Sequence, residues 1–188
     1  MSVRPRTMGV PARPREEGAM RRLDGRTVGE VRAMARADAA RVLSSYWDGV
    51  FPVNPVALAR AAGASVFVAE LGEDTYGMLV GDAAGQNIYV DRDQPPSRRR
   101  FTVAHELGHM VSHIDEPLPE GMAFVDARSE AGRGTAPEVY ANELAGNVLM
   151  PAKEVRACIA QGMDTIAMAA YFGVSLSAMS YRREVLGE

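Results

Sequence analysis

The sequence holds a single cysteine, Cys158, among 188 residues. That excludes an intramolecular disulfide and any multi-cysteine zinc knot. It has no apolar run of membrane-spanning length. It lacks a strong charge of either sign as well: the formal net charge is −3, which gives no argument for a nucleic-acid or membrane-surface partner. The first residues are rich in Arg and Pro but contain no apolar stretch of the kind a secretory signal needs. A cytoplasmic protein with no membrane partner is the expectation. What is present is ordinary for a globular chain. Hydrophobic residues make up 47% and charged residues 24%, enough for one domain with a real core, or one domain and a small appendix.

Composition divides the chain in three. Residues 1–22 read as a disordered arm, because Pro5, Pro11 and Pro14 alternate with Arg4, Arg6, Arg13 and Arg15 and almost nothing there can be buried. A basic arm that touches a partner is the functional alternative. Residues 23–151 read as the main domain. A helix is expected from Thr27 to Tyr46, and a short one from Val56 to Ala62, opened by Asn54-Pro55 and closed by Gly63. Three strands follow, Ser65 to Glu70, Thr75 to Val80 and Gln86 to Val90, separated by Gly-containing turns that predict antiparallel neighbours. A helix led by Pro95-Pro96 and capped by Asp93 or Ser97 comes next. Asp115 to Gly134 is a long Gly/Pro/acid-rich connection, and connections of that length are often functional. Another helix runs from Ala136 to Met150 and stops at Pro151. Residues 152–188 read as a helical subdomain packed on the core, with helices over Glu154–Ala160, Thr165–Phe172 and Ser175–Leu186.

The helix after Pro96 contains the chemistry. Phe101-Thr102-Val103-Ala104-His105-Glu106-Leu107-Gly108-His109 reads H-E-x-x-H. Residues four apart on a helix share a face, so His105 and His109 can offer two imidazole nitrogens to one metal ion. Glu106 is turned by about 100°, beside the metal rather than on it, where it can act as general base on a water. Apolar residues surround the motif nearly all the way round, which predicts a buried helix. Two imidazoles and a carboxylate in such a helix need strong compensation, and a divalent cation supplies it. A mid-helix glycine costs about 1 kcal/mol relative to alanine, so Gly108 suggests that something approaches closely there.

Catalytic zinc takes three protein ligands and leaves a fourth position open. His113 would rise past the ion along the same helix. The metzincin pattern fails, because Ser112 and Asp115 stand where it needs Gly and His. The better third ligand lies in the helix after Ala136. Its apolar stripe is Ala141, Leu144, Ala145, Val148 and Leu149, at helical spacing. Glu138 lies one turn before Ala141 on the same inward face, whereas Glu143 lies on the opposite, solvated face. Asn142 could hydrogen-bond a ligand from outside. A structural alternative stays open for Glu138. Thr135-Ala136-Pro137-Glu138 fits a capping box, in which Glu138 would reach back to the Thr135 amide.

Taken together, these residues resemble the ImmA/IrrE metallopeptidase family. The resemblance is carried by Arg100 to His109 with its H-E-x-x-H, by Glu138-x-x-Ala141-Asn142-x-Leu144-Ala145, and by Leu149-Met150-Pro151. Asp126-Ala127-Arg128-Ser129 and the tail phrase Phe172-Gly173-Val174-Ser175-x-x-Ala178-Met179 extend it, so that it covers Ala35 to Gly187. Leu144 stands where Phe is usual, and Gly146 and Asn147 replace commoner helix formers. The resemblance implies that His105, His109 and Glu138 bind one Zn2+ per chain, with Glu106 as catalytic base. It also implies an intracellular regulatory endopeptidase. Such an enzyme cleaves, or triggers cleavage of, a helix-turn-helix transcriptional repressor in mobile-element immunity or stress response. Tyr140, Tyr171 and Arg128 are the candidates for stabilising an oxyanion.

The expected fold class is α+β: a small three-stranded antiparallel sheet packed on a helical core, zincin-like by the resemblance, with a helix-turn-helix-like tail. Thr165 to Met179 reads as helix, Gly turn and Ser-capped helix. The second helix offers Arg182 and Arg183 but also Glu184, without a basic excess. The tail is therefore expected to pack on the core through Met168, Phe172, Met179 and Leu186. The rival reading is a DNA-binding or protein-binding regulator that retains a metal site without peptidase activity.

Overall fold

Local capping starts most of the helices. Thr27 accepts from the Glu30 amide while the Glu30 carboxylate accepts from the Thr27 amide, a complete capping box that opens α1 (Val28–Tyr46). Asn54 caps α2 (Pro55–Ala61) in the same sense, with Pro at the first turn. The structure, a computed structural model, describes residues 22–72, 75–83, 85–113, 120–121, 123–127 and 134–188, with only the backbone for 82 and 123–127. The expected N-terminal arm lies outside these residues apart from Arg22, as do Glu73, Asp74, Asp115 and Arg128.

After α2 come β1 (Ala64–Ala69), β2 (Thr75–Asp82) and β3 (Gly85–Asp91). Then follow α3 (Pro96–Ser112), β4 (Ala123–Ala127), α4 (Ala136–Leu149), α5 (Ala152–Ala160), α6 (Thr165–Phe172) and α7 (Leu176–Leu186). The fold class is α+β, but the sheet corrects two expectations. Among the described residues it has four strands, in the order β1-β3-β2-β4, and it is mixed. The β2–β3 hairpin is antiparallel, as its tight turn dictates, whereas β1 pairs parallel with β3. A glycine turn reverses the chain without saying which neighbour the next strand will choose. Burial made that choice: Ile88 and Val90 of β3 are 0% and 2% exposed, whereas Phe67 and Val68 of β1 are 46% and 56% exposed. The strand that carries the apolar load takes an inner place and the other goes to the edge. The fourth strand, β4, lies within the connection that composition suggested was irregular, and pairs antiparallel with β2.

A further correction concerns the start of α3. Neither Asp93 nor Ser97 caps it; Pro95 holds that position, makes no side-chain cap bond, and is followed by Pro96 in the first turn. Proline is suited there because its fixed φ is helical and its missing N–H would have had no partner.

The helices α3 and α4 form the middle of the molecule. On one side a core of Val31, Ala35, Leu58, Leu79, Ile88, Leu107 and Leu144 joins them to α1, α2 and the sheet. On the other side Ala104, Ala145 and Leu149 meet Met168, Phe172 and Met179 of the tail. In the tail Met168, Phe172 and Met179 are fully buried and Leu186 is partly so. Gly173, at φ 64, closes α6 in the left-handed region. The Arg100 guanidinium of α3 then donates to the carbonyls of Val53 at 2.6 Å, Gly173 at 3.0 Å and Phe172 at 3.4 Å. No helix among the described residues is long and apolar enough to cross a membrane.

Candidate metal centre

His105, Glu106 and His109 are all buried, 3%, 0% and 2% exposed, in the middle of α3. The helical spacing brings the two imidazoles together: His105 Nε2 and His109 Nε2 lie 3.0 Å apart. Glu138, in the first turn of α4, reaches both. One carboxylate oxygen is 3.2 Å from His109 Nε2 and the other 3.5 Å from His105 Nε2. One ligand atom from each residue can be chosen so that all lie within 4.8 Å of one another. Thr135, by contrast, makes no side-chain capping bond. The Glu138 carboxylate is thus turned toward the histidines, and its capping-box alternative is not the geometry adopted.

The hydrogen-bond chemistry tests whether this set suits a cation. The Asn142 Oδ1 lies 3.2 Å from His105 Nδ1. An amide oxygen only accepts, so Nδ1 carries the proton and Nε2 of the neutral ring presents a lone pair. That lone pair faces a carboxylate oxygen. Two acceptors aimed at each other repel, and a cation between them converts repulsion into coordination. Burial and the neighbouring His109 push His105 down to about 4, so its ring is neutral at pH 7. Burial works to raise the Glu138 carboxyl, but its hydrogen bond with His109 and its electrostatic interaction with the two rings outweigh it, and the net direction is downward. A neutral imidazole and an ionised carboxylate are the forms that bind metal. The donor set therefore fits a divalent cation such as zinc, with two nitrogens and one oxygen.

Close helix packing allows the reach. A Cβ on Gly108 would lie 2.7 Å from the Ala141 Cα and 3.1 Å from its carbonyl oxygen. Only glycine lets the two backbones approach that closely, and the approach brings Glu138, one turn before Ala141, to both histidines and Asn142, the residue after Ala141, to His105.

Other candidates fall elsewhere. His113 ends α3 and is buried, also pushed down to about 4 by burial and by His109. It faces a separate cavity of about 590 Å³ lined by Arg22, Asp38, Arg41 and Met110 among others. Tyr140 is buried against α1, where its hydroxyl donates to Asp38. Tyr171 is 40% exposed and packs its ring on Phe51. Glu143 does face away from the histidines, but it is not solvated. Its side chain is 12% exposed and pairs with Arg36 at 3.0 Å and Arg32 at 3.8 Å. Sequence reading missed Gly77 of β2, which touches Glu106. An isolated glycine inside a strand was the available signal, since it often marks a close approach.

Fold and site define a metallopeptidase-like domain. The family model described as the IrrE N-terminal-like domain, of the M78 peptidases, matches residues 59–184, well over half of the chain. The chain belongs to that family. Among solved structures it is similar to a Mycobacterium tuberculosis transcriptional regulator, with 20% sequence identity and a TM-score of 0.53 over 82% of this chain. The chain spans 50% of that structure's length, and at this identity the likeness is one of fold. A comparison with curated proteins gives no match.

Proposed function

We propose that this chain is a cytoplasmic zinc endopeptidase that cleaves, or triggers cleavage of, a helix-turn-helix transcriptional repressor. The observation that carries the reading is the convergence of two buried imidazoles and one carboxylate, with Glu106 fully buried next in sequence to His105. In this reading His105, His109 and Glu138 hold one Zn2+, and Asn142 fixes the His105 tautomer. Zinc bound there would polarise the scissile carbonyl and make the attacking water more acidic. The Glu106 carboxylate takes the proton of that water and returns it to the leaving amine. Burial by Thr102 and Gly77 excludes bulk solvent from that carboxylate. An extended substrate adds to a sheet edge. The sheet order makes β4 the better edge for this than β1, because β4 flanks β2, whose Gly77 touches Glu106. Residues 23–151 form the peptidase unit in this reading, and 152–188 its helical subdomain.

The rival reading, a DNA-binding regulator, takes its support from the helix-turn-helix shape of α6 and α7. Their arginines count against it. Arg182 is buried and donates to the Met150 carbonyl and to Asn147, while Arg183 donates to Thr165. The test is co-expression with a helix-turn-helix repressor encoded beside the gene, wild type against Glu106→Gln. The wild type cleaves and the variant, equally loaded with zinc, does not; general acid–base assistance is worth about 10²–10⁴ in rate. Cleavage surviving in the variant refutes the assignment of Glu106. Salt-dependent DNA retention without cleavage favours the rival.

A further inference from the structure

Gly77 lies inside β2, where pairing with β4 shifts register between Thr75 and Gly77. Its φ is not in the left-handed region, so backbone conformation is not the reason for glycine here. Space is. A Cβ at this position would lie 2.5 Å from Thr102 Cγ2, 2.7 Å from Glu106 Oε1 and 3.3 Å from Glu106 Cδ. Something would have to move, and the two neighbours differ in how easily they can. Thr102 is β-branched and stiff about its first torsion. It is 2% exposed, and its hydroxyl donates to Gln94 Oε1 at 2.9 Å. Gln94, itself buried, donates through Nε2 to the Tyr76 carbonyl at 2.6 Å. One amide side chain thereby ties the residue before Gly77 to the threonine above it. Rotating Thr102 would break that link. The Glu106 carboxylate ends a flexible side chain and yields more readily, whereas the Thr102 contact is relieved only by a shift of the strand against α3.

We propose that Gly77 is a positioning residue. The side chain missing from β2 is the space that holds the Glu106 carboxylate at its working place beside the metal triad. The Tyr76–Gln94–Thr102 hydrogen bonds fix the strand at that distance from α3. The inference rests on the reading of Glu106 as the general base.

The test is Gly77→Ala in the full chain, with three readouts: bound zinc, kcat and KM for repressor cleavage, and Tm alone and combined with Glu106→Ala. Zinc content and KM stay at wild-type values, while kcat falls by roughly 10²-fold, the scale of a misplacement of about 1 Å. The Tm penalty of Gly77→Ala is smaller in the Glu106→Ala background, because the displaced group is gone. Gly146→Ala, with nothing within 4 Å of the new Cβ, is the control and changes neither zinc, kcat nor KM. An active wild type with unchanged kcat in Gly77→Ala overturns the proposal, and so does an equal Tm penalty in both backgrounds. A wild type that cleaves no repressor overturns the peptidase reading instead, and the Tm comparison still decides whether Gly77 sets the place of Glu106.

Discussion

Asn142 is exposed to solvent, yet it determines which nitrogen of His105 faces Glu138. Losing such an outer partner costs about 10–100-fold in metal affinity, and Asn142→Ala should do so in a zinc titration with the fold intact. Glu138→Gln should cost more, because a neutral amide oxygen replaces an anionic ligand. Equal zinc affinity for wild type and Glu138→Gln would remove Glu138 from the site. Glu143→Gln is a poorer control than its position on the helix suggests, since it also breaks the pairing with Arg36. At this scale much of the candidate site's geometry was legible. The spacing of His105 and His109 and the inward face of Glu138 follow from helical period alone. The surroundings of Glu143 did not, because its partners are arginines of α1, more than a hundred residues distant in sequence, and no local pattern encodes them.

Between elements, the contact of α3 with α4 is set by Gly108. Gly108→Ala would press its methyl on the Ala141 backbone, which cannot swing aside as a side chain could. Overpacking of this kind costs about 1–3 kcal/mol, against about 1 kcal/mol of helix propensity gained. The variant should be less stable by denaturant titration. It should also bind zinc more weakly, since its helices stand farther apart. The contact of α1 with α4 brings a pH dependence. Tyr140 is 0% exposed and donates to Asp38, which also pairs with Arg22 and Arg41. Burial pushes the phenol up to about 12, above its unfolded value of about 10. The neutral phenol is the favoured form in the fold. Its contribution is intact below pH 10 and is lost as pH rises toward 12, by roughly 2–3 kcal/mol. Unfolding measured across that window should show the decline, and Tyr140→Phe should flatten it. The helices themselves were readable from caps and periodicity. Strand order was not, since pairing depends on which face each strand buries and on what covers it.

For the molecule as a whole, the tail completes the core. Phe172 is fully buried beside Phe51 and in one cluster with Ala104, Ala145 and Leu149. Phe172→Ala should destabilise the whole chain by about 3–5 kcal/mol in one cooperative transition; a separate early melting of residues 152–188 would contradict this. The apolar pattern of α6 made the tail's burial legible, but nothing local announced that its turn would be gripped by Arg100. That grip bears on the order in which the protein can be finished during synthesis. His105, His109 and Glu138 are all synthesised before Gly173. Until then the Arg100 guanidinium has only the Val53 carbonyl of its three partners. A nascent chain can thus hold His105, His109 and Glu138 while the first turns of α3 are still unanchored, and the anchor arrives only when the turn between α6 and α7 folds back onto them.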